Sequence, residues 1–73
     1  MEADTMYAHD FVPYIDGKFV IQLIDERTNT EIISGSKEDV VHFLNFEDTD
    51  YILCDTECMY IRGNRCVLYV VAN

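Results

Sequence analysis

Between Phe19 and Ile24 almost every position is apolar, so an extended chain would turn Phe19, Ile21 and Leu23 to one side and Val20 and Ile24 to the other. Only Gln22 interrupts the second set. This pattern predicts a strand over 18–25. Ahead of it lies Asp16-Gly17, a dipeptide suited to a type I′ hairpin turn, which predicts a partner strand over 10–15. That partner contains Pro13, which cannot donate a ladder hydrogen bond, so it is expected at a sheet edge. After the polar stretch Asp25–Thr30, the segment Glu31-Ile32-Ile33 resumes strand character, and the three strands form a meander that Ser34-Gly35 ends.

The rhythm then lengthens. Ser36 stands where a helix N-cap belongs, Glu38 and Asp39 suit the positive end of a helix dipole, and Val40, Val41, Phe43 and Leu44 share one broad face. A short helix over 37–45 follows, with His42 turned away from the apolar face, near Glu38. Beyond an acidic loop, Tyr51–Cys54 reads as a short strand and Asp55-Thr56 as a bend or bulge. Met59–Arg62 and Arg65–Val71 flank Gly63-Asn64, a two-residue hairpin. That turn pairs Arg62 with Arg65, Ile61 with Cys66, Tyr60 with Val67, Met59 with Leu68 and Cys58 with Tyr69. The expected fold is α+β: an antiparallel sheet of about five strands in the order βββαββ, with one short helix packed on one face. Residues 1–73 form a single domain with a loose N-terminal arm at 1–9.

The last hairpin is apolar on both faces: Met59, Ile61, Cys66, Leu68 and Val70 on one, Cys58, Tyr60, Val67, Tyr69 and Val71 on the other. A single helix covers only one of them. The second face needs the N-terminal arm with Tyr7, Phe11 and Tyr14, a sheet curled into a small barrel-like sandwich, or a partner.

Composition sharpens this picture by exclusion. The 73 residues carry fourteen Asp plus Glu against five Lys plus Arg, a net charge of −9. That balance opposes direct binding to a phosphate backbone. At 49% apolar, with five Tyr and four Phe, the chain is not of disordered type. Its apolar runs are too short to cross a membrane, and its first ten residues lack the basic start and apolar stretch of a signal peptide. These features point to a cytoplasmic chain.

The candidate chemistry is thin. Cys54, Cys58 and Cys66 with His42 would supply four zinc ligands of acceptable type, but the spacing matches no knuckle, and three small buried hydrophobes is the simpler reading. Cys54 and Cys58 lie beside Asp55 and Glu57, which oppose a thiolate. The three glycines all fall at turns, which leaves no phosphate-cradling loop, and the calcium-loop pattern is absent. No catalytic residue, metal or cofactor is expected, and the chain reads as no enzyme.

What remains is where the charge sits. Glu47, Asp48, Asp50, Asp55 and Glu57 form a run with no base among them, and Asp25, Glu26 and Glu31 mark the second turn. Carboxylates at phosphate-like separations can occupy a basic groove on another protein, steering association. Tyr51, Tyr60 and Tyr69 are suited to anchor such a contact.

In size, acidity and α+β pattern the chain resembles small acidic phage-encoded inhibitors, the anti-CRISPR and anti-restriction DNA mimics. The stretch Ser36–Leu44 resembles the short sheet-packed helix of many small phage proteins. The resemblance implies a stoichiometric protein partner with a basic nucleic-acid-binding surface in the host cytoplasm, and no enzymatic activity. The expected contact residues are Glu47, Asp48, Asp50, Tyr51, Asp55, Glu57 and Tyr60. The alternative is a structural or assembly module that homodimerises through the second apolar sheet face.

Overall fold

The computed structural model describes residues 6–46, 48–54 and 59–73. Along the chain come α1 (Ala8–Phe11), a 3-10 turn (Val12–Tyr14), β1 (Val20–Asp25), β2 (Thr30–Gly35), α2 (Lys37–Phe46), β3 (Tyr51–Leu53), β4 (Met59–Arg62) and β5 (Arg65–Ala72). The class is α+β and the sheet has five strands. Two expectations fail, however. The order is ββαβββ rather than βββαββ, and the sheet is mixed rather than antiparallel throughout. β1 and β5 pair in parallel, with Ile21 beside Cys66 and Leu23 beside Leu68. The remaining strand pairs are antiparallel.

The expected first strand at 10–15 is helical. Ala8, Val12 and Ile15 are buried together, and their spacing is that of one helix face rather than of alternating strand positions. Pro13 sits at the start of the 3-10 turn, where a missing N–H leaves no bond unmade. Asp16-Gly17 makes a turn without a hairpin. The Asp16 carboxylate accepts from the Lys18 N–H at 3.0 Å and the Asp16 carbonyl from the Phe19 N–H at 3.2 Å, steering the chain straight into β1.

Elsewhere the local signals hold. β1 and β2 form the expected hairpin around Glu26–Asn29, closed by an Asn29 N–H to Asp25 carbonyl bond of 2.6 Å. Asn29 has φ 58, a left-handed conformation that Asn tolerates better than most residues. Leu23 pairs with Ile33 but Ile24 with Glu31, so Ile32 is an extra residue on β2. This bulge lets the adjacent side chains Ile32 and Ile33 both pack on the core. Ser36 caps α2 as expected: its hydroxyl accepts from the Asp39 N–H at 3.2 Å. The β4–β5 hairpin has the expected register at all four described pairs, and Gly63 takes φ 63 in the first turn position. The fifth expected pair, Cys58 with Tyr69, lies outside the described residues.

β3 and β4 share one side of β5. Leu53 pairs with Val70 and Met59 with Leu68. Asp55-Thr56, where the bend or bulge was expected, lies outside the described residues.

α1, the 3-10 turn and α2 all pack on one face, where Ala8, Val12, Ile15, Val40 and Leu44 meet Ile21, Leu23, Leu53, Cys66, Leu68 and Val70. The described residues of the arm therefore do not wrap the second face, as one expectation had it: Ala8 and the residues after it join the helix layer. Met6 and Tyr7 instead run beside β3, through a Leu53 N–H to Met6 carbonyl bond of 2.9 Å and a Tyr7–Ile52 bridge. The opposite face carries Val20, Gln22 and Ile24 of β1, Ile52 of β3, Tyr60 of β4 and Val67, Tyr69 and Val71 of β5. Among the described residues no helix or strand covers it.

Leu68 is fully buried in the middle of the core, whereas Ile61 on the neighbouring strand is exposed. Leu68→Ala should therefore cost about 2–5 kcal/mol of unfolding free energy, and Ile61→Ala well under about 1 kcal/mol. Ser36→Ala, which removes a cap and no packing, should cost about 1 kcal/mol. Urea titrations followed by circular dichroism check this ranking.

Candidate functional site: one acidic end of the sheet

The parallel pairing of β1 and β5 decides where the charges go. Because both strands run the same way, Asp25 and Val70 sit side by side, and the Glu26 N–H reaches the Val70 carbonyl at 2.9 Å. β2 begins at the same end, with Thr30 opposite Asp25 and Glu31 next to it. So does β3: Tyr51 pairs with Ala72, and the Asn73 N–H donates to the Asp50 carbonyl at 2.8 Å. Asp25, Glu26, Glu31, Asp48 and Asp50 thus gather where β1 and β5 end, with Arg27 as their only cation among the described residues. Glu26, Glu31, Asp48 and Asp50 are exposed, Asp25 half-buried.

The opposite end holds most of the cations, Lys18, Lys37, Arg62 and Arg65, set against Asp16, Glu38 and Asp39. Arg62 and Arg65 face each other at the β4–β5 turn, and Lys18 precedes β1, whose Val20 N–H binds the Asn64 carbonyl at 2.8 Å. Lys18 lies 5.1 Å over the Phe19 ring, and Arg65 Nη1 donates to Ser34 Oγ at 3.2 Å. The molecule is therefore polarised along its strands, which its net charge does not reveal.

The expected contact residues divide across this geometry. Asp48, Asp50 and Tyr51 lie at the acidic end. Tyr51 is half-buried, its ring stacked on Phe43 at 6.3 Å and packed against the core, so the side chain expected as an anchor also ties α2 to β3. Tyr60 is exposed but pairs with Val67, six residues back along β5 from Asn73. Six residues of strand separate it from the acidic end by about 20 Å. Glu47, Asp55 and Glu57 lie outside the described residues. Asp25, Glu26 and Glu31 join the cluster instead. Their signal in the sequence was visible, an acidic pair ending an apolar run, but only the β1–β5 pairing places them beside Asp50.

The tyrosines of the open face form their own group. Tyr60 and Tyr69 stack at 6.2 Å with 29° between ring planes. The Tyr60 hydroxyl, by hydrogen bonding to Tyr69, raises the Tyr69 pKa above the ordinary tyrosine value, with burial and the Tyr60 charge adding to the effect.

Among the described residues the cysteines and histidines form no cluster. Cys66 is buried on the core face beside Ile21, and burial pushes its thiol pKa up. Cys54 is half-buried, its N–H 3.1 Å from the Tyr69 carbonyl, and Cys58 lies outside the described residues. His42 projects from the outer side of α2, its ring 4.5 Å from Phe46. Among the described residues, no three of His, Cys, Asp or Glu converge as metal ligands would. His42 lines a shallow groove of about 420 Å³ with Pro13, Lys37, Glu38, Val41 and Asn45, where Lys37 Nζ donates to the Pro13 carbonyl at 3.3 Å. The groove offers His42 and Glu38 for proton transfer but no hydroxyl or thiol to act as nucleophile. Among the described residues no helix is long and apolar enough to cross a membrane.

Comparisons with protein-family models, curated proteins and solved structures find no match for this chain.

Two measurements probe this chemistry. Since the thiolate is the reactive form, Cys66 should resist iodoacetamide at neutral pH in the folded protein and react on unfolding, as read by peptide mass spectrometry. In a phenolate absorbance titration Tyr69 should ionise above the usual tyrosine pKa of about 10. Tyr60→Phe, which removes the hydrogen bond, should bring it back down.

Proposed function

We propose that the chain is a non-catalytic acidic inhibitor that binds the basic, nucleic-acid-handling surface of another protein through the acidic end of its sheet. One observation carries this reading: Asp25, Glu26, Glu31, Asp48 and Asp50, distant in sequence, are brought to a single end by the parallel register of β1 and β5. A surface of carboxylates at the strand ends and in the turns and bends next to them needs no cleft. It presents negative charge at fixed spacing to a groove built for phosphates, and long-range attraction speeds the encounter. The groove beside His42 offers no comparable concentration of charge.

In this reading the chain acts stoichiometrically, as anti-CRISPR and anti-restriction proteins of the DNA-mimic kind do. Tyr51 is the anchor at the acidic end, and Glu47 belongs with Asp48 by sequence. The contact is between proteins and involves neither nucleic acid nor membrane directly.

The test is a salt-eluted affinity capture from bacterial lysate, repeated with a charge-reversed chain carrying Asp25→Lys, Glu26→Lys, Asp48→Lys and Asp50→Lys. The wild-type chain should retain a nucleic-acid-binding protein at low salt and release it as salt rises, while the reversed chain retains none of it. Equal capture by the two chains at low salt would overturn the proposal. Matching circular dichroism spectra would show that the reversed chain is folded.

A further inference from the structure

We propose that two copies of this chain pair through the outer edge of β4, antiparallel and centred on Tyr60, joining their sheets into one.

β4 is the strand the helix layer fails to shelter. All four of its residues are exposed, and Met59, Tyr60 and Ile61 are open to 42%, 42% and 49%. Its inner edge pairs with β5, and among the described residues nothing pairs with its outer edge. An apolar strand with an open edge is a template for another strand. By contrast the apolar side chains of the second sheet face are largely shielded already: Val67 is buried, and Val20, Ile24, Ile52, Tyr69 and Val71 are half-buried. Self-association read from sequence onto that face is better served by the edge.

The backbone selects the partner's register. Arg62 and Arg65 flank a two-residue turn, so they exchange both hydrogen bonds across it, and alternation turns the polar groups of Tyr60 towards β5 as well. The N–H and C=O groups of Met59 and Ile61 therefore point out of the sheet. A two-fold axis through Tyr60 sets Met59 opposite the partner's Ile61 and Ile61 opposite the partner's Met59, which satisfies all of these groups. It also sets Tyr60 against the partner's Tyr60 in a non-hydrogen-bonded pair, where side chains approach most closely. Met59 and Ile61 of both copies then meet on the helix side of the joined sheet, and the Tyr60–Tyr69 stacks meet on the other.

Charge favours a second copy over an unrelated strand. β4 ends at the β4–β5 turn, with Arg62 and Arg65 at its tip, away from the acidic end of the sheet. Antiparallel pairing runs the strands of the two copies in opposite directions, which sets the end of each copy that holds Arg62 and Arg65 alongside the acidic end of the other. The strongly acidic ends stay apart, which limits the repulsion between two chains of charge −9. The isologous contact closes on itself as a dimer, and the acidic end remains free for another partner.

The experiment is sedimentation of the full chain at up to about 1 mM, the range of a weak specific contact. The wild type should run at twice its 8.5 kDa chain mass. Ile61→Pro removes an outward N–H without touching a β4–β5 bond, and it should weaken association at least about tenfold. Met59→Lys with Ile61→Lys should do the same by charge, which covers the case in which proline disturbs the hairpin. Val71→Lys, on the open face, should leave the dimer intact. Under oxidation Tyr60→Cys should yield a disulfide joining position 60 to the partner's position 60, seen by peptide mass spectrometry. A wild type at single-chain mass, including one whose edge is capped by its own N-terminal residues, would overturn the proposal. So would a dimer lost on Val71→Lys but kept on Ile61→Pro, or the lack of a 60–60 link.

Discussion

The fold depends on burying β5 between two neighbours. Its residues Cys66 to Val71 form a nearly continuous apolar run, and such a strand is stable only with chain on both sides and a covered face. β1 supplies one side, β3 and β4 share the other, and Leu68 and Val70 fill the middle of the layer under α1 and α2. Each further element adapts to that demand. The bulge at Ile32 tilts two isoleucines into the same core, and the helical turns at 8–14 bring Ala8 and Val12 down onto it. The same parallel pairing gives the molecule its electrical polarity, because strands that share a direction share an end.

Elements whose cause is local were legible in the sequence. Gly63-Asn64 specifies its hairpin because a two-residue turn leaves one register, and Ser36 announces α2 because its hydroxyl meets a backbone N–H three residues on. The polar turn between β1 and β2 was equally clear. At 10–15 the reading failed through competition between two local rules: Asp16-Gly17 suits a hairpin, but Ala8, Val12 and Ile15 follow a helical period that only packing against α2 makes decisive. The β1–β5 pairing had no local signature. Ile21 and Cys66 stand far apart in sequence, and nothing in either segment names the other.

The candidate site was legible in kind but not in membership. Asp48 and Asp50 were found because they are neighbours in the chain, and Tyr60 was grouped with them for its residue type. The structure replaces neighbourhood in sequence with neighbourhood in the sheet. It admits Asp25, Glu26 and Glu31 and places Tyr60, on β4, beside the far half of β5. Net charge could not have shown this, since it sums over the two ends that the fold keeps apart.

The parallel contact also imposes an order of events on folding. β1 and β2 can close their hairpin early, as can β4 and β5, because each is joined by a short turn. β1 cannot complete its core face until β5 arrives, and closing so long a loop loses chain entropy before any packing is gained. For its size the chain should therefore fold slowly. During synthesis, the half made first must wait with one edge of β1 unpaired until β5, the strand that pairs with it, has been made.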